Sequence, residues 1–86
     1  MGFVYIVQYG FDGDTNVYLT AEMAKQDAID KIIEYCNKIK LNGDILNAII
    51  DEIEAQFEED GVFDVDTDIG EILCYKASLI YNKKED

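Results

Sequence analysis

Nineteen carboxylates set against seven lysines are the groups through which this 86-residue sequence could do chemistry. Paired acids are what a glycosidase uses, and Glu58 with Asp64 imitates such a pair. With nineteen acids, such pairs arise by chance, and nothing else in the chain marks a cleft. The absences exclude more. With no His there is no imidazole base, no Ser–His or Cys–His couple and no imidazole metal ligand. With no Arg there is no planar clamp for phosphate or carboxylate. Cys36 lies on an apolar helical stripe and Cys74 within a strand-like run, so both read as buried, reduced, structural thiols. The expectation is a protein that is not an enzyme and uses no cofactor.

Two runs carry carboxylates at the spacing of a calcium loop. Asp64-Val-Asp66-Thr-Asp68-Ile-Gly70 resembles the start of an EF-hand loop, which needs Gly at position six and Glu at twelve. Counted from Asp64 those positions hold Ile69 and Tyr75. Asp12-Gly-Asp14-Thr-Asn16 has Val17 and Met23 there, with Glu22 one residue short. Both read as polar turns whose side chains bond their own backbone, and no metal site is assigned. Weak Ca²⁺ binding by clustered carboxylates stays open as a third reading.

The charge is distributed unevenly. The net charge is −12, with a sequence pI of about 4.1. Eleven acids (Asp44, Asp51, Glu52, Glu54, Glu58, Glu59, Asp60, Asp64, Asp66, Asp68 and Glu71) fall between Leu41 and Tyr75, a stretch without a lysine. Asp51, Glu54 and Glu58 stand at i, i+3 and i+7 on one helix stripe. At the helical rise they cover about 10 Å, or about 5 Å per charge, against about 3.4 Å per phosphate along a DNA strand. Glu59 lies in a neighbouring row with Glu52. Asp64, Asp66 and Asp68 alternate, so an extended segment would project them to one side. Such a surface repels nucleic acid and anionic membrane and suits a basic protein surface.

The elements that must position these acids follow from periodicity. Residues 3–9, rich in β-branched and aromatic types, predict a strand, and residues 10–16 a turn. Residues 16–20 predict a return strand. Thr20 is a helix N-cap, and Ala24, Ala28, Ile29, Ile32, Ile33, Cys36 and Ile39 recur at helical spacing. Asn42-Gly43 reads as a stop, with Asp44 capping a second helix over about 44–59, whose apolar face holds Leu46, Ile49, Ile50, Ile53 and Phe57. Gly61 ends it. Residues 62–65 predict a short strand, 66–70 a turn, 71–81 a long strand and 82–86 a frayed tail. The expected fold is α+β, ordered β-β-α-α-β-β. It places a four-stranded, mainly antiparallel sheet under a helical hairpin within one domain over residues 1–86. No apolar run is long enough to span a membrane and no signal peptide is evident, which predicts a cytoplasmic protein.

Tyrosines offer a second candidate surface. Tyr5, Tyr9, Tyr75 and Tyr81 fall in strands whose two faces are both partly apolar, and tyrosine gives contact area at low entropy cost. This supports an alternative reading, an assembly or adaptor module that binds a protein or a second copy through its sheet, with a homodimer as one form.

The opening Val-Tyr-Ile-Val, the Tyr-Leu-Thr-Ala-Glu-Met-Ala junction and the Lys/Asn/Ile/Asp/Glu-rich composition resemble small bacteriophage-encoded proteins. The Arg-free, acid-dense second half is similar to phage inhibitors that present nucleic-acid-like charge, the anti-CRISPR and anti-restriction proteins among them. This class-level resemblance covers the whole chain by composition and implies neither fold nor site residues. It implies a host-takeover role without catalysis, and the acidic surface leads to the first reading, a stoichiometric inhibitor that occupies the basic groove of a host nucleic-acid-binding protein by charge complementarity. The residues expected to make that contact are Asp51, Glu54, Glu58, Glu59, Asp64, Asp66 and Asp68.

Overall fold

The computed structural model describes residues 2–78. Four strands and two helices follow one another as β1 (Phe3–Tyr9), β2 (Thr15–Tyr18), α1 (Ala21–Lys38), α2 (Gly43–Asp60), β3 (Phe63–Thr67) and β4 (Gly70–Ser78). The strands form one sheet in the order β2-β1-β4-β3, every neighbouring pair antiparallel. This is the α+β architecture and element order that periodicity predicts. The part of the long strand expected over 79–81, Tyr81 included, and the tail over 82–86 lie outside the described residues.

The helix ends differ from expectation in instructive ways. Thr20 caps α1 as expected, its hydroxyl accepting from the Met23 N–H at 3.1 Å. The helix then stops before Asn42-Gly43. Lys40 takes a left-handed φ of 58°, and the Leu41 N–H reaches back to the Cys36 carbonyl at 2.9 Å, the bond that closes a Schellman motif. Leu41 is half-buried and supplies the apolar contact that accompanies this motif. Asn42, not Asp44, caps α2. Its Oδ1 accepts from the Asp44 N–H at 2.7 Å, which leaves Asp44 in the first turn, where the helix dipole favours a carboxylate. Gly61 ends α2 at φ 76°, as expected.

The helical hairpin covers one sheet face. Val7, Tyr9, Phe63, Val65, Ile72 and Cys74 point toward it and pack on Ala24, Ala28, Ile32, Cys36, Ile49 and Ile53. Both thiols are free and buried, and burial pushes them up, Cys74 to about 11. At one end of the β1–β4 seam the main chains come close. The Gly10 N–H donates to the Glu71 carbonyl at 2.7 Å, and a Cβ at Gly10 would lie 2.8 Å from the Glu71 nitrogen.

The alternating residues Val4, Ile6 and Gln8 of β1, Val17 of β2, and Leu73, Tyr75 and Ala77 of β4 lie on the opposite face, which neither α1 nor α2 covers. Asp64, Asp66 and Glu71 share it.

Candidate functional site

All eleven acids between Asp44 and Glu71 are exposed. Among the described residues, the only ion pairs join Lys31 to Asp12 and Asp14, at 3.5 and 3.1 Å. The acid-rich half therefore carries its charge without an ion pair among the described residues. Lys25 and Lys76 stand over the rings of Phe57 and Phe3 at 4.8 and 4.5 Å.

The two calcium-loop candidates resolve differently. In the first loop the Asp14 N–H donates to Asp12 Oδ1 at 3.0 Å, a self-bonded turn, and both carboxylates hold the Lys31 ammonium. In the second, Asp64 and Asp66 belong to β3 itself, and only Asp68 lies in the two-residue turn. Thr67 braces that turn: its hydroxyl accepts from the Ile69 N–H at 3.0 Å and donates to the Gly70 carbonyl at 2.7 Å. β3 runs two residues further than expected, so the turn narrows from the expected 66–70 to residues 68–69.

The seven acids singled out by charge do not share one plane. Asp51, Glu54 and Glu58 form their stripe on the outside of α2, away from the sheet. Asp64 and Asp66 alternate with buried Phe63 and Val65, so they project from the uncovered sheet face, on the other side of the molecule. Asp68, in the turn, does not continue their row. Asp44, Glu52 and Asp68 border the gap between α2 and β3. The acids thus wrap one edge of the two-layer fold rather than tile a flat surface.

Glu71 belongs with them and was not among the seven. The β3–β4 register sets it opposite Asp66, and carboxylate oxygens of Asp64, Asp66 and Glu71 lie within 4.8 Å of one another. Hydrogen bonding to Asp64 and the Asp64 charge push the Glu71 carboxyl above its ordinary value. The spacing of Asp66 and Glu71 signals this only once Asp66 is read as part of the strand and not of the turn.

β3 is an edge strand, and its protection comes from Gln56. The Gln56 amide accepts from the Asp64 N–H at 2.8 Å and donates to the Asp64 carbonyl at 3.2 Å and to Glu52 Oε2 at 2.8 Å. From that clamp toward the start of α2, helix and strand diverge around a groove of about 550 Å³. Ile45, Ala48, Ile49 and Val65 supply its apolar lining. No sequence signal points to the groove beyond Gln56, an amide in the acid-rich second half of α2.

The tyrosines separate. Tyr9 is buried, 1% exposed, and Tyr5 is partly covered on the same helix-facing side, so neither can form an outer aromatic surface. Sequence parity allowed either face of β1 to be the covered one. The Tyr18 hydroxyl donates to Asp27, while the Tyr9 hydroxyl is buried beside Tyr18 without a well-formed hydrogen bond. Burial is the largest cause raising both phenols. Of the four tyrosines named for the sheet surface, only Tyr75 stands on the uncovered face among the described residues.

Comparison with protein-family models, curated proteins and solved structures finds no match for this chain. No helix among the described residues is long and apolar enough to cross a membrane.

Proposed function

We propose that this protein is a non-catalytic binding protein whose anionic edge, formed by α2 and β3, occupies the basic surface of a nucleic-acid-binding protein and inhibits it. The carrying observation is that eleven exposed acids, from Asp44 to Glu71, have no lysine within ion-pair distance among the described residues. Like charges three and four residues apart on a helix oppose folding by a few tenths of a kcal/mol per pair. A dense one-sign field speeds encounter with an oppositely charged partner and sets its orientation. The resemblance to phage inhibitors supports a host defence nuclease as the target class.

The test is capture from a host-cell lysate at low and high salt, comparing the natural protein with Asp51→Lys/Glu54→Lys/Glu58→Lys. These side chains point away from the core, so the variant keeps its fold, checked by circular dichroism. The expected result is a nucleic-acid-binding protein that is released by salt, displaced by added DNA or RNA, and lost with the variant. The same protein held equally by both forms refutes the assignment of the helix stripe.

A second reading, self-assembly through the sheet, draws on the uncovered face, where Val17 is 61% and Tyr75 36% exposed beside Ile6. It predicts a concentration-dependent dimer in sedimentation that salt does not loosen. A monomer at every concentration eliminates it.

A further inference from the structure

The groove between α2 and β3 combines two features that recognise the same kind of ligand. The first is main-chain. In an antiparallel edge strand, alternate residues turn their N–H and C=O outward, away from the neighbouring strand. Asp64 turns both groups outward, and Gln56 satisfies both. Asp66, two residues on, turns its pair the same way, into the groove. Among the described residues, no second amide meets it. One helical turn before Gln56 stands Glu52, whose carboxylate offers no proton to a carbonyl and already accepts from Gln56. One turn earlier again stands Ala48, which has no polar group.

The second feature is the lining. The apolar surface of Ile45, Ala48 and Val65 is bordered by the carboxylates of Asp44, Glu52 and Asp68. An apolar floor with an anionic rim matches side chains that have an aliphatic stem and a cationic head, since such chains lay the stem on apolar surface and extend the head to its border. The volume lies within the range of ordinary ligand sites. Gln56 closes one end, so an occupant enters from the side of the β3–β4 turn and stops at the clamp.

We infer that this groove binds an extended lysine- or arginine-bearing segment of a partner protein, paired with the main chain of Asp66 as a short fifth strand. The inference rests on the proposed anionic binding function and names the form in which the basic partner is held. Strand addition to an exposed edge gives affinity through main-chain bonds and specificity through side-chain pockets.

The test uses a fluorescein-labelled heptapeptide of alternating Lys and Val, read by anisotropy at low salt. A second probe carries the same sequence N-methylated at alternate amides, which removes the N–H groups of one edge. Three forms of the protein are compared: natural, Ala48→Phe, which fills the groove without changing charge, and the Asp51/Glu54/Glu58 triple lysine variant. Loss of one or two main-chain bonds predicts about tenfold weaker binding of the methylated probe. Ala48→Phe weakens the unmethylated probe at least as much, and in ¹⁵N spectra of the natural protein the Asp66 amide shifts on titration. Equal binding of the two probes, equal binding by Ala48→Phe, or no binding by the natural protein overturns the inference. If the triple variant alone loses the peptide, the groove is refuted while the anionic function stands. If Ala48→Phe alone loses the peptide and the triple variant still captures the lysate partner, the groove stands and the helix-stripe reading fails.

Discussion

Replacing Gln56 by Glu probes the clamp on the β3 edge with almost no change in shape. The substitution keeps the acceptor for the Asp64 N–H at 2.8 Å. It turns the two donor contacts, to the Asp64 carbonyl at 3.2 Å and to Glu52 at 2.8 Å, into oxygen facing oxygen. Each lost bond is worth about 0.5–1.5 kcal/mol, with the longer one at the low end. A new like-charge pair with Glu52 at i,i+4 adds a few tenths. The sum is about 2 kcal/mol, or roughly 10 °C in Tm for a domain of this size. The sign with pH is fixed by the repulsion. The new carboxyl is surrounded by acceptors, so its folded-state pKa is raised above the unfolded value. The natural and variant proteins then converge below the ordinary carboxyl range and separate as pH rises through it. Thermal melts of both proteins at pH 7 and about pH 3.5 measure that difference. A Tm difference of equal size at both pH values, or none at pH 7, refutes the reasoning, because the penalty would then not arise from an ionised group at the clamp.

Glu71→Gln removes one of three carboxylates that crowd the uncovered face. Hydrogen bonding to Asp64 and its charge raise the Glu71 carboxyl above its ordinary value of 4.5, so ionising Glu71 destabilises the fold as pH rises above that value. The variant is expected to melt higher than the natural protein at pH 7 and equally in acid; a lower Tm at pH 7 contradicts the crowding. Gly10→Ala would place a Cβ 2.8 and 2.9 Å from main-chain atoms of Glu71, which cannot swing aside. Overpacking of this kind costs about 1–3 kcal/mol, so a Tm drop of at least about 5 °C is expected, and an unchanged Tm would contradict the close crossing.

The element order was legible because its signals are local. Alternation marked β1 and β4, the recurrence of Ala24, Ala28, Ile32 and Cys36 every four residues marked α1, and Gly61 marked the end of α2. The Schellman ending at Lys40 was not legible, since the left-handed conformation costs a residue such as lysine about 1–2 kcal/mol and no glycine or asparagine marks the position. The acidic half was legible as composition but not as geometry. That Asp64 and Asp66 stand across the sheet from the stripe of Asp51, Glu54 and Glu58 depends on which face of β3 is covered. That β3 is an edge depends on β1 pairing with β4, a contact between residues far apart in the chain. The groove and the Gln56 clamp inherit both uncertainties. The tyrosines failed for the same reason. Both faces of β1 are apolar, so parity alone could not say that Tyr9 would be inside and Ile6 outside.

The strand order also bears on how the chain reaches this structure. The sheet consists of two local hairpins, β1 with β2 and β3 with β4, joined by the β1–β4 seam in which Phe3 lies opposite Ser78 and Tyr9 opposite Ile72. The chain between the seam's nearest partners is roughly ten times longer than the turn joining β1 to β2, which adds about 2 kcal/mol of closure entropy. The hairpins and the helical pair can each assemble from neighbouring residues. The seam requires both ends of the described chain to meet, so it is the slow, high-contact-order step. Until it closes, β1 and β4 each expose an unpaired edge, and the dense negative charge of α2 and β3 holds such half-formed molecules apart.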